Sequence, residues 1–378
     1  MARSVYGCLL VLSLLIGGCG GGESSDRGSK RTGPRLTAGT AQNLDARLRE
    51  KVKDTGVPGA SAAVVFPDGR IWRGAAGVAV MAPKRLMTPQ TSLPFASATK
   101  IATAALAMRL VEQGELRLDD PIGRWYPTWR GDAKATVRDL LGHTAGVGDP
   151  PDAFFARLGP RSVPTARQHI AATARPGPRT TDAEYSNSGF MIAGIILARA
   201  ADEPVAKAMR RELFDHPGGD GLAFQPAERP HPPLAHCYWY PRGLLDPVDA
   251  SDGTRLLPFR GEATMASTAG ALAGDVPSLA QWAHGLFNGQ IVSQESLHEM
   301  TRFHDGGYWD AYGLGLARSS DGDRELWGHG GQGTGSHTEL WHLPHENVSI
   351  AVTWNDAAIG PEGGVLGALL HAAIGTDE

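Results

Sequence analysis

The chain has 378 residues, 42% of them hydrophobic and 20% charged, with a formal net charge of −4. That is the composition of a globule large enough to bury roughly three quarters of its unfolded surface. No basic stripe and no aromatic–basic interleaving is present, which argues against a nucleic-acid partner.

The N-terminus reads as a leader rather than as fold. Arg3 supplies a short basic start, and residues 8–18 form an apolar and small-residue run too short to span a bilayer as a helix. Ile16-Gly17-Gly18-Cys19 follows, and it resembles the bacterial lipoprotein signal, in which the thiol of the new first residue is lipidated. The expectation is a signal peptide over 1–18, a lipid on Cys19, and a Gly/Ser/Lys/Arg-rich flexible tether over 19–36. A body over 37–378 would then be held at the extracytoplasmic face of a bacterial membrane. With Cys8 removed and Cys19 acylated, Cys237 is alone in the body and no internal disulfide forms; it reads as a small buried hydrophobe.

The body opens on a helix over 42–54, with Leu44, Leu48 and Val52 at helical spacing. Strands follow over 60–66 and from Arg70, joined by Pro67-Asp68-Gly69, a hairpin signal. An alanine-rich apolar helix runs on from Phe95 to Gln113 and stops at Gly114, a C-terminal glycine. Helical and proline-rich loop segments dominate to about 260. Strands return over 312–318, 324–327, 336–342 and 348–355, and a helix over 360–374 closes the chain. This order predicts an α+β fold: an antiparallel sheet flanked by helices and assembled from both chain ends, with a mainly helical lobe over about 97–260 inserted between them.

Three short motifs carry chemistry. Ser97 and Lys100 stand three apart at a helix start and so share a face. A serine hydroxyl needs a base to become a nucleophile, and a lysine held out of water has a lowered pKa and can be that base. Composition alone gives about 0.4 chance Ser-x-x-Lys matches in this chain, so the pair is weak in isolation. Tyr185-Ser186-Asn187 precedes an apolar helix; a tyrosine whose pKa is lowered by a nearby lysine can shuttle protons, and an asparagine offers a donor and an acceptor to a substrate amide. His329-Gly330-Gly331-Gln332 places glycines beside a strand, where backbone N–H groups paired with the Ser97 N–H would form an oxyanion hole. His-x-Gly recurs at His216 and His304, but His329 lies within the strand series.

The order Ser97-x-x-Lys100, Tyr185-x-Asn187, His329-x-Gly331 resembles the penicillin-recognising serine hydrolases, in the branch of class C β-lactamases, D-alanyl-D-alanine carboxypeptidases and related esterases. Residues 110–116, 118–121, 137–146, 185–190 and 312–315 also look like that family and keep its order, over about residues 42–375. The resemblance implies Ser97 as acylated nucleophile, Lys100 as its base, and Tyr185 as proton carrier to the leaving group. It implies Asn187 as a substrate-amide ligand, His329 as a substrate-orienting group, and the N–H groups of Ser97 and Gln332 as the oxyanion hole beside Gly331. Asp139 and His143 read as structural.

Where the family commonly has Lys-Thr-Gly, this chain has His329-Gly330-Gly331. Histidine is mostly neutral at pH 7 and Gly330 lacks a hydroxyl, so a substrate carboxylate loses two partners. An ester or another acyl substrate gains accordingly against β-lactams and D-Ala peptides. No Gly-x-Ser-x-Gly elbow or phosphate loop occurs, and His337, His342 and His345 read as surface histidines rather than zinc ligands, so no metal or cofactor is expected. The expected activity is a membrane-tethered serine hydrolase acting on a small-molecule or peptide acyl substrate. The alternative is a penicillin-binding or sensor lipoprotein that does not turn over.

Overall fold

Helix α1 (Ala38–Thr55) begins where Thr37 accepts a hydrogen bond from Thr40 N and ends at left-handed Gly56. The computed structural model describes residues 33–158, 162–240, 246–360 and 364–375 of the chain. The expected signal peptide over 1–18 and all but the last residues of the expected tether lie outside them. The described residues belong to one compact unit starting at Gly33.

After α1 come β1 (Gly59–Val65) and β2 (Ile71–Val80), joined by a turn in which Gly69 N donates to Phe66 O and the Asp68 carboxylate pairs with Arg70. The helical lobe supplies α2 (Thr99–Glu112), α3 (Asn187–Ala200), α4 (Arg260–Gly270) and α5 (Val276–Phe287). Strands β3 (Ala317–Asp321), β4 (Arg324–Gly333), β5 (Ser336–Leu343) and β6 (Val348–Trp354) then lead to α6 (Val365–Ile374). The main sheet runs from β2 through β1, β6, β5 and β4 to β3, with short strands added at each edge, and its pairings are antiparallel. β1 pairs with β6, with Ala60 opposite Trp354, so the two ends of the body meet in mid-sheet as expected.

Strand alternation divides the core in two. Ala60, Ala62 and Val64 point to one face, packed with Leu44, Leu48 and Leu369 of α1 and α6. Ala63 and Val65 point to the other, joining Leu279 and Trp282 of α5 and most of α2. α2 is buried at nearly every position, which is why its apolar residues show no one-sided stripe. Its small alanines let α3 and α4 pack close to the segment that starts at Ser97.

Three expectations change. The run over 312–318 is not one strand: it breaks at a turn where Gly315 has φ +66°, and a Cβ there would stand 2.5 Å from Lys100 O. The strand expected over 324–327 continues to Gly333, so His329, Gly330 and Gly331 are strand residues. Isolated glycines weaken a strand signal, yet here they admit the neighbouring backbone. His337 and His342 are buried, not at the surface; of the three histidines only His345 is exposed. β5 is covered on both faces, with His337 Nε2 2.6 Å from Glu339 Oε1 and its ring stacked on Trp354, while the His342 ring stacks on Phe287.

Candidate active site

Ser97 stands in a single 3₁₀ turn, Ala96–Ala98, which runs directly into α2. Ala96 has φ +45°, a strained value for a residue with a side chain. The turn is fastened from the next residue on, because Thr99 Oγ1 donates to Ala96 O and accepts from Leu272 N. Ser97 keeps partial access to solvent, whereas Lys100, one turn on, is completely buried.

The Lys100 amine has three polar neighbours: Asn187 Oδ1 and Ala269 O, each at 2.8 Å, and Ser97 Oγ at 3.2 Å. Burial drives its pKa from 10.5 down to about 7, against a smaller upward pull from the Asp149 carboxylate. A neutral amine has two N–H groups and one lone pair. The carboxamide and carbonyl oxygens can only accept, so they take the two N–H groups. The lone pair is left facing Ser97 Oγ, whose O–H can donate to it. Ser97 Oγ in turn accepts from the Tyr185 hydroxyl at 2.7 Å.

The Tyr185 phenol keeps its proton and carries no charge. The residue as a whole is 38% exposed, but its hydroxyl end is enclosed, and that burial raises the phenol above its ordinary value despite the hydrogen bond to Ser97. The lowered pKa expected from the nearby lysine is therefore absent. Lys100 Nζ does lie 4.7 Å from the ring centre, but an amine near neutrality exerts little pull. His143 sits behind Tyr185 with ring centres 4.6 Å apart, and burial followed by the charge of Lys100 holds it well below the ordinary histidine value. Its Nδ1 accepts from Ser186 N at 3.2 Å, a contact with the backbone of the Tyr185–Asn187 segment. Asp139 likewise caps a short helix through Thr136.

Asn187 opens α3, capped by Ser186. Its carboxamide is engaged internally, with Oδ1 on Lys100 and Nδ2 donating to Asp149 Oδ2 at 3.1 Å. One N–H and one lone pair remain for a substrate. Asp149 is a site residue that motif reading missed. Burial pushes its carboxyl up, but the neighbouring His169 and the N–H groups of Ser188 and Asn187 outweigh that and hold it below the ordinary range. Ser97, Lys100, Tyr185 and Asn187 are thus brought together through direct contacts.

β4 forms the opposite wall. A Cβ on Gly331 would lie 2.3 Å from Phe95 O and 3.1 Å from Ser97 N, so only glycine lets this strand press against the Ser97 amide. Gln332 follows and is exposed. His329 is buried, with Nε2 3.1 Å from the Tyr312 hydroxyl and Nδ1 against Gly330 O. Burial first, then the charge of Lys100, moves its pKa down to about 3, so it carries no charge near neutrality. Trp309 closes this end, its ring 4.8 Å from His329 and 5.7 Å from Tyr185.

A β-lactamase family profile matches residues 44–373. The chain belongs to the β-lactamase family. It is 28% identical over 234 residues to esterase EstB of Burkholderia gladioli, covering 57% of this chain and 58% of that protein. It is 23% identical over 313 residues to a D-aminopeptidase of Brucella anthropi, covering 79% of this chain and 56% of that protein. The chain therefore spans a little over half the length of these curated relatives. The crystal structure of D-amino acid amidase from Ochrobactrum anthropi SV3, complexed with L-phenylalanine amide, superposes with a TM-score of 0.76 at 26% identity, over 88% of this chain and 98% of that one. The expected α+β architecture and the resemblance to the penicillin-recognising serine hydrolases are both borne out.

Proposed function

We propose that this member of the β-lactamase family is a serine hydrolase that cleaves esters or amides through an acyl-enzyme on Ser97. The observation that carries this is the Lys100 amine, enclosed, near neutral and saturated on both N–H groups, with its remaining direction toward Ser97 Oγ. Lys100 takes the Ser97 proton as Oγ attacks the acyl carbonyl. The oxyanion is held by the N–H groups of Ser97 and Gln332, on either side of the Gly331 contact. Tyr185, protonated and donating to Ser97 Oγ, passes its proton to the leaving oxygen or nitrogen and recovers one from the Lys100 ammonium. In deacylation the free Lys100 amine accepts a proton from the attacking water, and Ser97 regains its own on release.

The uncharged His329 gives a leaving-group carboxylate no cation, and Trp309 presents an apolar surface beside it. Carboxylate-free esters and amides are therefore the favoured substrates over D-Ala peptides and β-lactams. The names of the relatives, an esterase, a D-aminopeptidase and a D-amino acid amidase, are consistent with both leaving-group types. Location belongs to the same reading: Cys19 carries a lipid that tethers the body to the outer side of a bacterial membrane. The test is steady turnover of a panel of p-nitrophenyl esters, amino acid amides, D-Ala-D-Ala peptides and nitrocefin by wild type and Ser97→Ala. Turnover of esters or amides that vanishes in Ser97→Ala is expected; a single acylation without turnover would favour a sensor, and unchanged turnover in the variant would refute the reading.

A further inference from the structure

Glu262 is a charged side chain beside the cleft that the chemistry above does not use. It stands in the first turn of α4, and both carboxylate oxygens lie 3.2 Å from one donor, Thr334 N, just past the end of β4. Among the described residues it makes no ion pair and accepts no other hydrogen bond. A carboxylate has about four acceptor sites, so most of its capacity is unmet. Burial raises its pKa against the help of Thr334 N, although the residue keeps part of its surface accessible.

Its position along β4 is informative. A Cβ on Gly333 would meet Glu262 Oε1 at 2.7 Å and Ala96 Cβ at 3.6 Å, whereas one on Gly331 meets Ser97 N. Residues two apart on a strand are separated by about 6.6 Å. The carboxylate therefore lies beside the strand on the side of Ser97 away from His329. Tyr185, which hands its proton to the leaving group, lies at the His329 end, with ring centres 6.2 Å apart. A substrate whose carbonyl sits between the Ser97 and Gln332 amides thus has its leaving group toward His329 and its acyl chain toward Gly333 and Glu262.

We propose that Glu262 is a specificity residue for the acyl half of the substrate, accepting a positively charged nitrogen a few bonds from the reacting carbonyl. The substrates are then esters or amides of cationic, amino-bearing carboxylic acids. This rests on the hydrolase reading above, and the experiment separates the two. It uses the full-length protein and p-nitrophenyl esters whose acyl chain ends in a trimethylammonium group at increasing chain lengths, each paired with the p-nitrophenyl ester whose acyl chain ends in an uncharged tert-butyl group of equal shape. The readout is the ratio of kcat/KM for the charged ester to that for the neutral one, which does not depend on how much enzyme is folded. Wild type is expected to prefer the charged ester at least tenfold at the best chain length. Glu262→Gln, which retains an oxygen for Thr334 N, is expected to bring the ratio to about one, and Glu262→Lys to reverse it. Ser97-dependent turnover with no charge preference in wild type, or a preference kept by Glu262→Gln, overturns the role of Glu262 and leaves the hydrolase reading standing. Loss of Ser97 dependence overturns both.

Discussion

Acylation should follow the titration of Lys100. At pH 7 an amine of pKa 10.5 is about 0.03% free base, while one moved to about 7 is about half free base, a gain of roughly a thousandfold in available base. On lowering the pH from 8 to 6 the free-base fraction falls from about 0.9 to about 0.1, and each further pH unit removes another factor of about ten. Three neighbours stay out of this window: His329 is held at about 3, His143 lies well below its ordinary value, and Tyr185 lies above its own. The assay is the pre-steady-state burst rate of p-nitrophenol from p-nitrophenyl acetate at fixed ionic strength. A single acid limb of unit slope, bending between pH 6 and 8, is the expected result. A rate flat from pH 5 to 9, or a limb bending near pH 4 as for a carboxylate base, would refute the assignment of Lys100.

Lys100→Met should be more stable than wild type near pH 7. The folded pKa is below the unfolded one, so the unfolded chain binds more protons between about pH 7 and 10.4 and wild-type stability rises with pH through that window. Thermal melts should show a gain for the variant at pH 7, on the order of a few kcal/mol, that shrinks toward pH 10; an equal or lower Tm at pH 7 would contradict this. Tyr185→Phe removes the donor at 2.7 Å from Ser97 Oγ and should lower kcat/KM about 10²- to 10⁴-fold for amides, with a smaller loss for p-nitrophenyl esters, whose leaving group needs no proton. Equal losses on both would contradict the proton-carrier role. Gly331→Ala drives a methyl into Phe95 O and the Ser97 amide, and should cost about 1–3 kcal/mol in denaturant melts along with at least tenfold in burst rate.

Much of this site was legible because its groups lie close in sequence. Ser97 and Lys100 share a helical turn, and Tyr185 and Asn187 flank a helix start, so their chemistry can be read as spacing. Asp149 was not legible, since an aspartate in a Gly/Pro loop carries no motif and its function arises from closure onto the N–H groups of α3, 38 residues downstream. The phenol of Tyr185 was misjudged because burial outweighs a lysine that is itself discharged by burial. His329 was found as a motif but placed beside the strand rather than on it, as glycines conceal a strand whose neighbour needs space. His337 and His342 read as surface residues because with His345 they straddle a strand and a turn in sequence, whereas β5 is buried at every position. Both ends of the sheet were clear from their apolar runs. The short pieces between Ala201 and Arg260 were not, being held by tertiary contacts such as the Arg210–Glu228 pair rather than by periodicity.

The central claim is that an uncharged, enclosed Lys100 makes Ser97 a nucleophile. Intact-mass and peptide mapping of the protein after a fluorophosphonate probe tests it most directly. One adduct per chain on Ser97, formed at least a hundredfold more slowly in Lys100→Met, is the predicted result. Label on any other residue, or labelling of Ser97 at the wild-type rate without Lys100, would contradict it.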